Sequence, residues 1–170
     1  MKRLLGIAAL AVSMVLTGQA QSFKFGHINS DELIQAMPEF DSATKKLEAF
    51  RQELVNQIEL MSVELRNKND SYTKESKNLT DIVKQTKEQE IVDLNRRIQD
   101  FQTTAQDDLQ NKQVELFQPI YAKVDKAIKD VGKENGFVYV FDVAKGSLLY
   151  FDETRSTNVM ALAKAKLGLK

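Results

Sequence analysis

The stretch NGFVYVFDVAKGSLLYF, residues 135–151, carries five of the thirteen aromatic side chains of this 170-residue chain. Its two halves, FVYVFDV and SLLYF, flank a Lys-Gly pair, and this arrangement predicts a β-hairpin. The two-residue repeat of a strand would place Val138 and Val140 on one face, and Phe137 and Tyr139 on the other. A lone hairpin is barely stable in water, so this segment needs a partner.

The simplest partner for this hairpin is the same hairpin in other copies of the chain. A third short strand is predicted in FKFGHI, residues 23–28, and a closing helix in TRSTNVMALAKAKLG, residues 154–168. Three strands that are apolar on both faces leave edges that aggregate unless they are paired. We therefore expect several chains to combine their strands into one small barrel or sandwich. The side chains expected at this oligomer interface are Phe25, Ile28, Val138, Val140, Phe141, Leu148 and Leu149.

Between the predicted strands lies a long helical region. From Phe40 to Gln118 the chain has no Pro and no Gly, and apolar residues recur three and four positions apart in two series. Such spacing predicts two helices paired as an antiparallel coiled coil. The first series is Phe40, Ala43, Leu47, Phe50, Leu54, Ile58, Met61 and Leu65, and the returning series is Ile91, Leu94, Ile98, Phe101, Ala105, Leu109, Lys112 and Leu116.

The ends of these helices are also predicted. The polar stretch 66–81 places the reversal near residues 77–81, with Thr80 or Asp81 as the cap of the second helix. Pro38 separates a first short helix from the arm, and Pro119 is expected to kink or restart the returning helix where the arm meets the body. Gly132 or Gly136 is expected to end that helix.

The N-terminal sequence predicts an export signal. MKRLLGIAALAVSMVLTGQA has a basic start, an apolar run and a small residue at its end, which is typical of a cleaved signal peptide. The predicted organisation is a signal peptide at 1–20, a β-rich body from 21–38 and 119–170, and a helical arm at 39–118. The predicted fold class is α+β and predominantly helical, with a long antiparallel coiled-coil arm on a small β body assembled between subunits.

Charge and composition exclude several kinds of function. Without Lys2 and Arg3, 22 basic side chains face 24 acidic ones, and a net charge of −2 does not suit nucleic acid. The absence of Cys and the presence of a single histidine, His27, exclude a His-Cys metal cluster and a cysteine nucleophile. We expect His27 to be a strand or interface residue, and we expect no enzyme activity and no cofactor.

Both ends of the chain resemble the Skp/OmpH family of periplasmic chaperones. The resemblance rests on FKFGHINSDELIQAMPEF, residues 23–40, and AIKDVGKENGFVYVFDVAKGSLLYFDE, residues 127–153, with a charged helical hairpin between them. It implies a trimeric β-barrel body with three arms around a cavity. It also implies that the protein works in the periplasm, where it holds unfolded outer-membrane proteins without ATP.

Two alternatives remain open for the arm. Its candidate client contacts are Phe50, Leu54, Met61 and Phe101, whose flexible and aromatic side chains tolerate many sequences, although all four also suit a seam that only joins the two helices. The arm could instead be a periplasmic spacer or adaptor that binds a folded partner. Its tip, residues 66–87, has six basic and three acidic side chains, which fits either contact with an anionic membrane or a solvated surface.

Overall fold

The computed structural model describes residues 23–144, 146 and 148–169, so the signal peptide predicted at 1–20 lies outside the described residues. The fold is α+β and predominantly helical, as the sequence predicts. A long helical hairpin extends from a small body that contains a three-stranded sheet. In chain order the elements are β1 (Lys24–Ile28), α1 (Ser30–Gln35), α2 (Pro38–Glu75), a 3₁₀ turn (Ser76–Asn78), α3 (Asp81–Glu134), β2 (Phe137–Asp142), β3 (Ser156–Asn158) and α4 (Met160–Lys166).

The arm consists of α2 packed along α3, and its seam follows the predicted spacing. All residues of the two predicted apolar series are buried or half-buried, and Leu94, Ile98 and Ala105 are at most 7% exposed. At 1.5 Å per residue the 38 residues of α2 extend about 57 Å. Within the described ranges, no helix combines the length and the apolar content that crossing a membrane requires.

The helix boundaries follow local chemistry. Pro38 takes the first position of α2, where its missing N–H costs nothing. The chain reverses in the 3₁₀ turn, and Thr80 in extended conformation is the N-cap residue of α3. Gly136 follows the end of α3 at φ +68°, a left-handed conformation that suits glycine.

Of the two outcomes predicted at Pro119, a kink or a restart of the returning helix, the restart is wrong. Helix α3 is 54 residues long and is continuous through Pro119. A proline inside a helix costs about 3 kcal/mol because it removes one hydrogen bond and crowds the preceding turn. Phe117 and Ile120, on either side of it, are 8% and 4% exposed and pack in the core of the body. Their burial on both sides of the proline offsets that cost and keeps the helix continuous.

The predicted β-hairpin is also wrong. Residues 148–151 form no strand, and β2 pairs instead with β1, in parallel. The third strand, β3, pairs in parallel with the other side of β1, so β1 is central in the order β2-β1-β3. The parallel pairing follows from the length of α3, which runs past the sheet and ends beside the start of β1. There Lys24 Nζ donates a hydrogen bond to the Asn135 carbonyl at 3.1 Å. The chain therefore enters β2 beside the start of β1.

The side chains of β2 do not alternate regularly between the two faces of the sheet. Its register shifts by one residue near its start, where Lys24 pairs with Phe137 but Phe25 pairs with Tyr139. Such a bulge interrupts the two-residue repeat. Phe137 therefore packs against the core of the body together with Val140, and is not on the side of Tyr139 as predicted.

The core of the body lies between the sheet and the helices. Ile28 at the end of β1 and Val159 before α4 are 1% and 0% exposed. Leu33 of α1 is also fully buried, and the helices contribute further apolar side chains. The buried cluster is Ile28, Leu33, Met37, Ala43, Phe117, Ile120, Val124, Val131, Val159 and Ala163. It covers one face of the sheet and leaves the other face exposed.

Candidate interaction surfaces

The uncovered side of the sheet carries an aromatic face, defined by Phe25, His27, Tyr139, Phe141 and Phe151. The ring of Tyr139 stacks between those of Phe25 and Phe141, at centroid distances of 6.2 Å and 5.8 Å. Tyr139 is 58% exposed, and Phe25 and Phe141 are each 37% exposed. Adjacent exposed aromatics of this kind mark an interaction surface on a soluble domain.

His27 lies within this aromatic face. Its ring centroid is 4.7 Å from that of Phe151, and its Nδ1 is 2.9 Å from Ser156 Oγ on β3. The histidine thus joins the central strand to β3 and to the segment before it. The prediction that His27 is a strand residue is confirmed.

The aromatic face continues into an exposed apolar segment. Leu149 and Tyr150 are 99% and 82% exposed, and residues 148–151 have no strand partner. The outer edge of β2 has no strand beside it among the described residues, since β2 ends the order β2-β1-β3. An unpaired strand edge and an exposed apolar segment each invite pairing with another chain.

The residues predicted for the oligomer interface lie on both sides of the sheet. Phe25, Val138, Phe141 and Leu149 are exposed. Ile28 is buried within its own subunit, and Val140 packs against the same core, so neither is on the aromatic face. The side-chain alternation of the strands is the reason, because Ile28 points opposite to His27 and Val140 opposite to Tyr139 and Phe141. Leu148 is half-buried.

The predicted client contacts lie in the seam of the arm. Phe50, Leu54, Met61 and Phe101 are all half-buried between α2 and α3. The structure therefore shows them joining the two helices and leaves only part of each side chain accessible.

More exposed apolar side chains, which were not predicted from the sequence, lie elsewhere on the two long helices. Leu60 is 64% exposed, Val92 59%, Val114 53% and Tyr121 49%. These residues fall between the seam positions, where a solvated helix would carry polar residues. That mismatch between residue type and position is the signal that could have identified them.

Two open grooves on the arm contain exposed apolar side chains, Val114 and Tyr121 in one and Val55 in the other. One has a volume of about 390 Å³ near the body and is lined by Gln110, Gln113, Val114, Phe117, Gln118 and Tyr121. The other has a volume of about 340 Å³ farther along the arm, where Leu54, Val55 and Ile58 of α2 face Gln102 and Gln106 of α3. Both grooves combine an apolar floor with side-chain amides.

The tip of the arm is held by ion pairs between its two helices. Lys68 Nζ lies 2.7 Å from Glu90 Oε2, and Lys87 Nζ lies 3.4 Å from Glu75 Oε2. The hydrogen bond from Lys68 lowers the pKa of Glu90. Hydrogen bonds from Ser71 and then from Lys87 lower the pKa of Glu75. Part of the basic charge of the tip is therefore balanced within the arm itself.

Comparison with known proteins identifies the family. The family model described as outer membrane protein (OmpH-like) matches residues 24–167, which include the sheet, the whole arm and α4. The chain belongs to the OmpH-like family. The match spans both the body and the helical hairpin, and it confirms the resemblance seen in the sequence.

Two OmpH-like relatives support this assignment. A protein of Yersinia enterocolitica named chaperone protein Skp is 21% identical over 169 residues, which cover 98% of this chain and 100% of the relative. A crystal structure from Caulobacter crescentus, of a protein described as an OmpH-like outer membrane chaperone, has a TM-score of 0.73 at 9% identity. It covers 85% of this chain and 83% of the other, and it shows that the two share a fold.

Proposed function

We propose that this protein is an ATP-independent holdase of the periplasm that keeps unfolded outer-membrane proteins from aggregating. The observation that carries the proposal is the family match across residues 24–167, together with a full-length relative named as a chaperone. A holdase needs no catalytic step, only accessible apolar surface that binds and releases its client.

The assembly is the first part of this proposal. Three copies would join through their aromatic faces and exposed apolar segments, burying Phe25, Tyr139, Phe141 and Leu149. All four are exposed in the single chain, at 37%, 58%, 37% and 99%. Complete burial of a fully exposed side chain such as Leu149 contributes about 1.5–3 kcal/mol, and the partly exposed aromatic side chains would add a fraction of that each. Burial of these four side chains would therefore favour association. Closed symmetry would direct the three arms to the same side and leave a space between them.

The arms are the second part. An arm held by one narrow seam can flex, and its two grooves provide apolar floors for a guest chain. The exposed Val114 and Tyr121 lie near the body, where three arms would be closest together. Client contacts are therefore assigned to these exposed residues before the half-buried Phe50, Leu54, Met61 and Phe101.

The second candidate function is a spacer or adaptor that binds a folded partner. The rigid length of α2 and α3 favours it, because a continuous helical hairpin maintains a fixed distance. The exposed apolar side chains in the grooves favour the holdase, since a spacer needs only a solvated surface there.

Binding to two states of one client separates these functions. A denatured outer-membrane β-barrel is diluted from urea into buffer with residues 21–170 of this protein, and its aggregation is followed by light scattering. The same barrel, folded into lipid vesicles, is tested for binding in a flotation assay. The holdase predicts suppressed aggregation at about one assembly per client and no binding to the folded barrel.

The opposite pattern would support the spacer. Aggregation as fast as with an equal mass of serum albumin would exclude a holdase. Binding to the folded barrel alone would then favour an adaptor role for the arm.

A further inference from the structure

A straight row of side-chain amides runs along α3 and is not explained by the seam. The amide row consists of Asn95, Gln99, Gln102, Gln106, Gln110 and Gln113. Its five steps of four, three, four, four and three cover 18 residues, an average of 3.6 per step. Since an α-helix has 3.6 residues per turn, the row is parallel to the helix axis and about 27 Å long.

The side chains of this row are exposed and make no hydrogen bonds within the described part of the protein. Two other glutamines of the arm, Gln52 and Gln89, differ. Gln52 Nε2 donates to Asn56 Oδ1 at 2.8 Å, and Gln89 Nε2 donates to Asp93 Oδ1 at 3.1 Å. The donors and acceptors of the amide row are therefore available to a partner.

The row itself is uncharged and borders two largely apolar grooves, although α3 is acidic and Arg51 also lines one of these grooves. Residues 88–118 hold seven acidic and three basic side chains. Gln102 and Gln106 border the groove with Leu54, Val55 and Ile58, and Gln110 and Gln113 border the groove with Val114 and Tyr121. The row thus connects two apolar floors with a line of neutral hydrogen-bonding groups.

A side-chain amide offers two N–H donors and one carbonyl acceptor, which are the groups of a peptide bond. A folded protein satisfies its own peptide groups, but an unfolded chain presents them free. Hydrogen bonds of this kind strengthen where apolar surroundings reduce the local dielectric. A neutral row beside apolar floors therefore suits an extended polypeptide better than it suits an ion, a nucleic acid or a charged helix.

We infer that the amide row is a binding track for the backbone of an extended, unfolded polypeptide, whose alternate apolar side chains rest in the two grooves. This inference rests on the proposed function and specifies which feature of a client is recognised. Outer-membrane strands have the alternating pattern that such a track accepts. Recognition through peptide groups depends little on sequence, as a holdase for many clients requires.

The spacing of the amides also limits how tightly the track can bind a guest chain. Successive amides are about 5.4 Å apart along the helix, whereas alternate residues of an extended chain are about 6.6 Å apart. Only some of the amides can pair with a guest at one time. The guest can therefore shift along the track, which favours weak binding and release without ATP.

A peptide pair and two matched variants test this track. The probe is a fluorescent peptide of alternating Val and Thr, and its counterpart is N-methylated at alternate residues, which removes backbone donors and keeps the side chains. The row variant combines Gln102→Ala, Gln106→Ala, Gln110→Ala and Gln113→Ala. The control variant combines Gln52→Ala, Gln57→Ala, Gln85→Ala and Gln89→Ala. Alanine keeps both helices intact because it is the best helix former.

Fluorescence anisotropy should separate the two variants. We expect the row variant to bind the probe about tenfold more weakly than the wild type, and the control variant to bind within about twofold of it. The wild type should bind the N-methylated peptide about as weakly as the row variant binds the parent. Raising the salt concentration should change these ratios little, because the side chains removed in both variants carry no charge.

Several results would overturn the inference while leaving the proposed function intact. One is that the row variant binds the probe as tightly as the wild type does, and another is that the wild type binds the two peptides equally. The third is that the wild type prevents aggregation of the unfolded barrel but binds neither peptide. A changed assembly mass in the row variant would instead make the row a contact between arms. If the wild type fails to hold the unfolded barrel, the proposed function itself fails.

Discussion

At the scale of single residues, Gly26 shows how the central strand is enclosed. A Cβ at this position would lie 3.0 Å from Val159 Cγ1 and 3.2 Å from Phe137 Cδ1. Val159 is fully buried, and the bulge in β2 directs Phe137 over the glycine. A side chain at this position would force Phe137 and Val159, which close over β1, to move by a few tenths of an ångström.

Gly26→Ala should therefore destabilise the body. Overpacking of a well-packed core typically costs about 1–3 kcal/mol, because neighbouring side chains leave their preferred rotamers. The measurement is the urea midpoint of unfolding at fixed protein concentration, which should fall.

Gly132→Ala is the matched control. A Cβ there would meet only Val140 Cγ2, at 3.7 Å, which is an ordinary contact. Because alanine is favoured over glycine in a helix by about 1 kcal/mol, this variant should raise the midpoint. A lower midpoint for Gly132→Ala, or an unchanged one for Gly26→Ala, would contradict the packing described here.

At the scale of elements, the arm is packed unevenly along its length. Leu94 is 1% exposed, whereas the seam positions between it and the tip, such as Met61, Leu65 and Ile91, are only half-buried. Ion pairs, including those of Lys68 and Lys87, join the helices near the tip. Exposed pairs of this kind contribute little each, so Leu94 is the main apolar anchor for the outer part of the arm.

Leu94→Ala should open the outer arm while the body stays folded. Removing a buried leucine side chain costs about 2–5 kcal/mol, and the loss is confined to the seam around it. Hydrogen exchange should become faster at the amides of residues 58–91 and remain slow in the sheet. Val92→Ala, two residues away at a position 59% exposed, should leave exchange unchanged. Equal effects of the two variants would show that the seam does not depend on Leu94.

The stability of the tip should depend on pH because its ion pairs include carboxylates. The pKa of Glu90 is lowered, so its pair with Lys68 stabilises the fold fully above the pKa of an unfolded glutamate. This stabilisation is lost as the pH falls through the lowered value. In a ¹³C titration of the carboxyl groups, Glu75 and Glu90 should titrate below a glutamate in a free peptide.

Lys68→Gln tests the source of that shift. It should raise the titration midpoint of Glu90 towards the free-peptide value and leave that of Glu75, which pairs with Lys87 and Ser71. An unchanged Glu90 midpoint would mean that the pair does not form in solution.

At the scale of the whole molecule, the two sides of the sheet have different roles. One side closes the core of the subunit, with Val140 packed against it, and the other presents the aromatic face. Adjacent residues of β2 therefore affect different properties. A change at Val140 concerns the fold of one chain, and a change at Tyr139 concerns the proposed contact between chains.

Tyr139→Asp and Val140→Asp should differ for this reason. Tyr139→Asp places a charge on an exposed face, so the assembly should dissociate to monomers that keep their helical circular dichroism. Val140→Asp places a carboxylate against the core, so the thermal midpoint should fall by several degrees at any protein concentration. Native mass spectrometry and thermal melts measure both. An intact oligomer of Tyr139→Asp would contradict assembly through the aromatic face.

Much of the helical part of this protein follows from its sequence alone. The seam, the reversal after Glu75 and the caps at Pro38 and Gly136 depend on residues within a few turns of one another, and local periodicity and turn chemistry specify them. The aromatic and apolar composition of residues 135–151 predicts strands, and residues 137–142 form one while residues 148–151 do not. For the candidate surfaces, Phe25, Val138, Phe141 and Leu149 were named from composition and are exposed.

The partner and direction of the strands were decided only by the tertiary structure. Helix α3 runs through Pro119 and carries the chain back to the start of β1, so β2 pairs in parallel with β1 and forms no hairpin with residues 148–151. The bulge in β2 then sets which side chains face the core. These features depend on contacts between residues more than a hundred positions apart, and a local sequence pattern contains no information about such contacts.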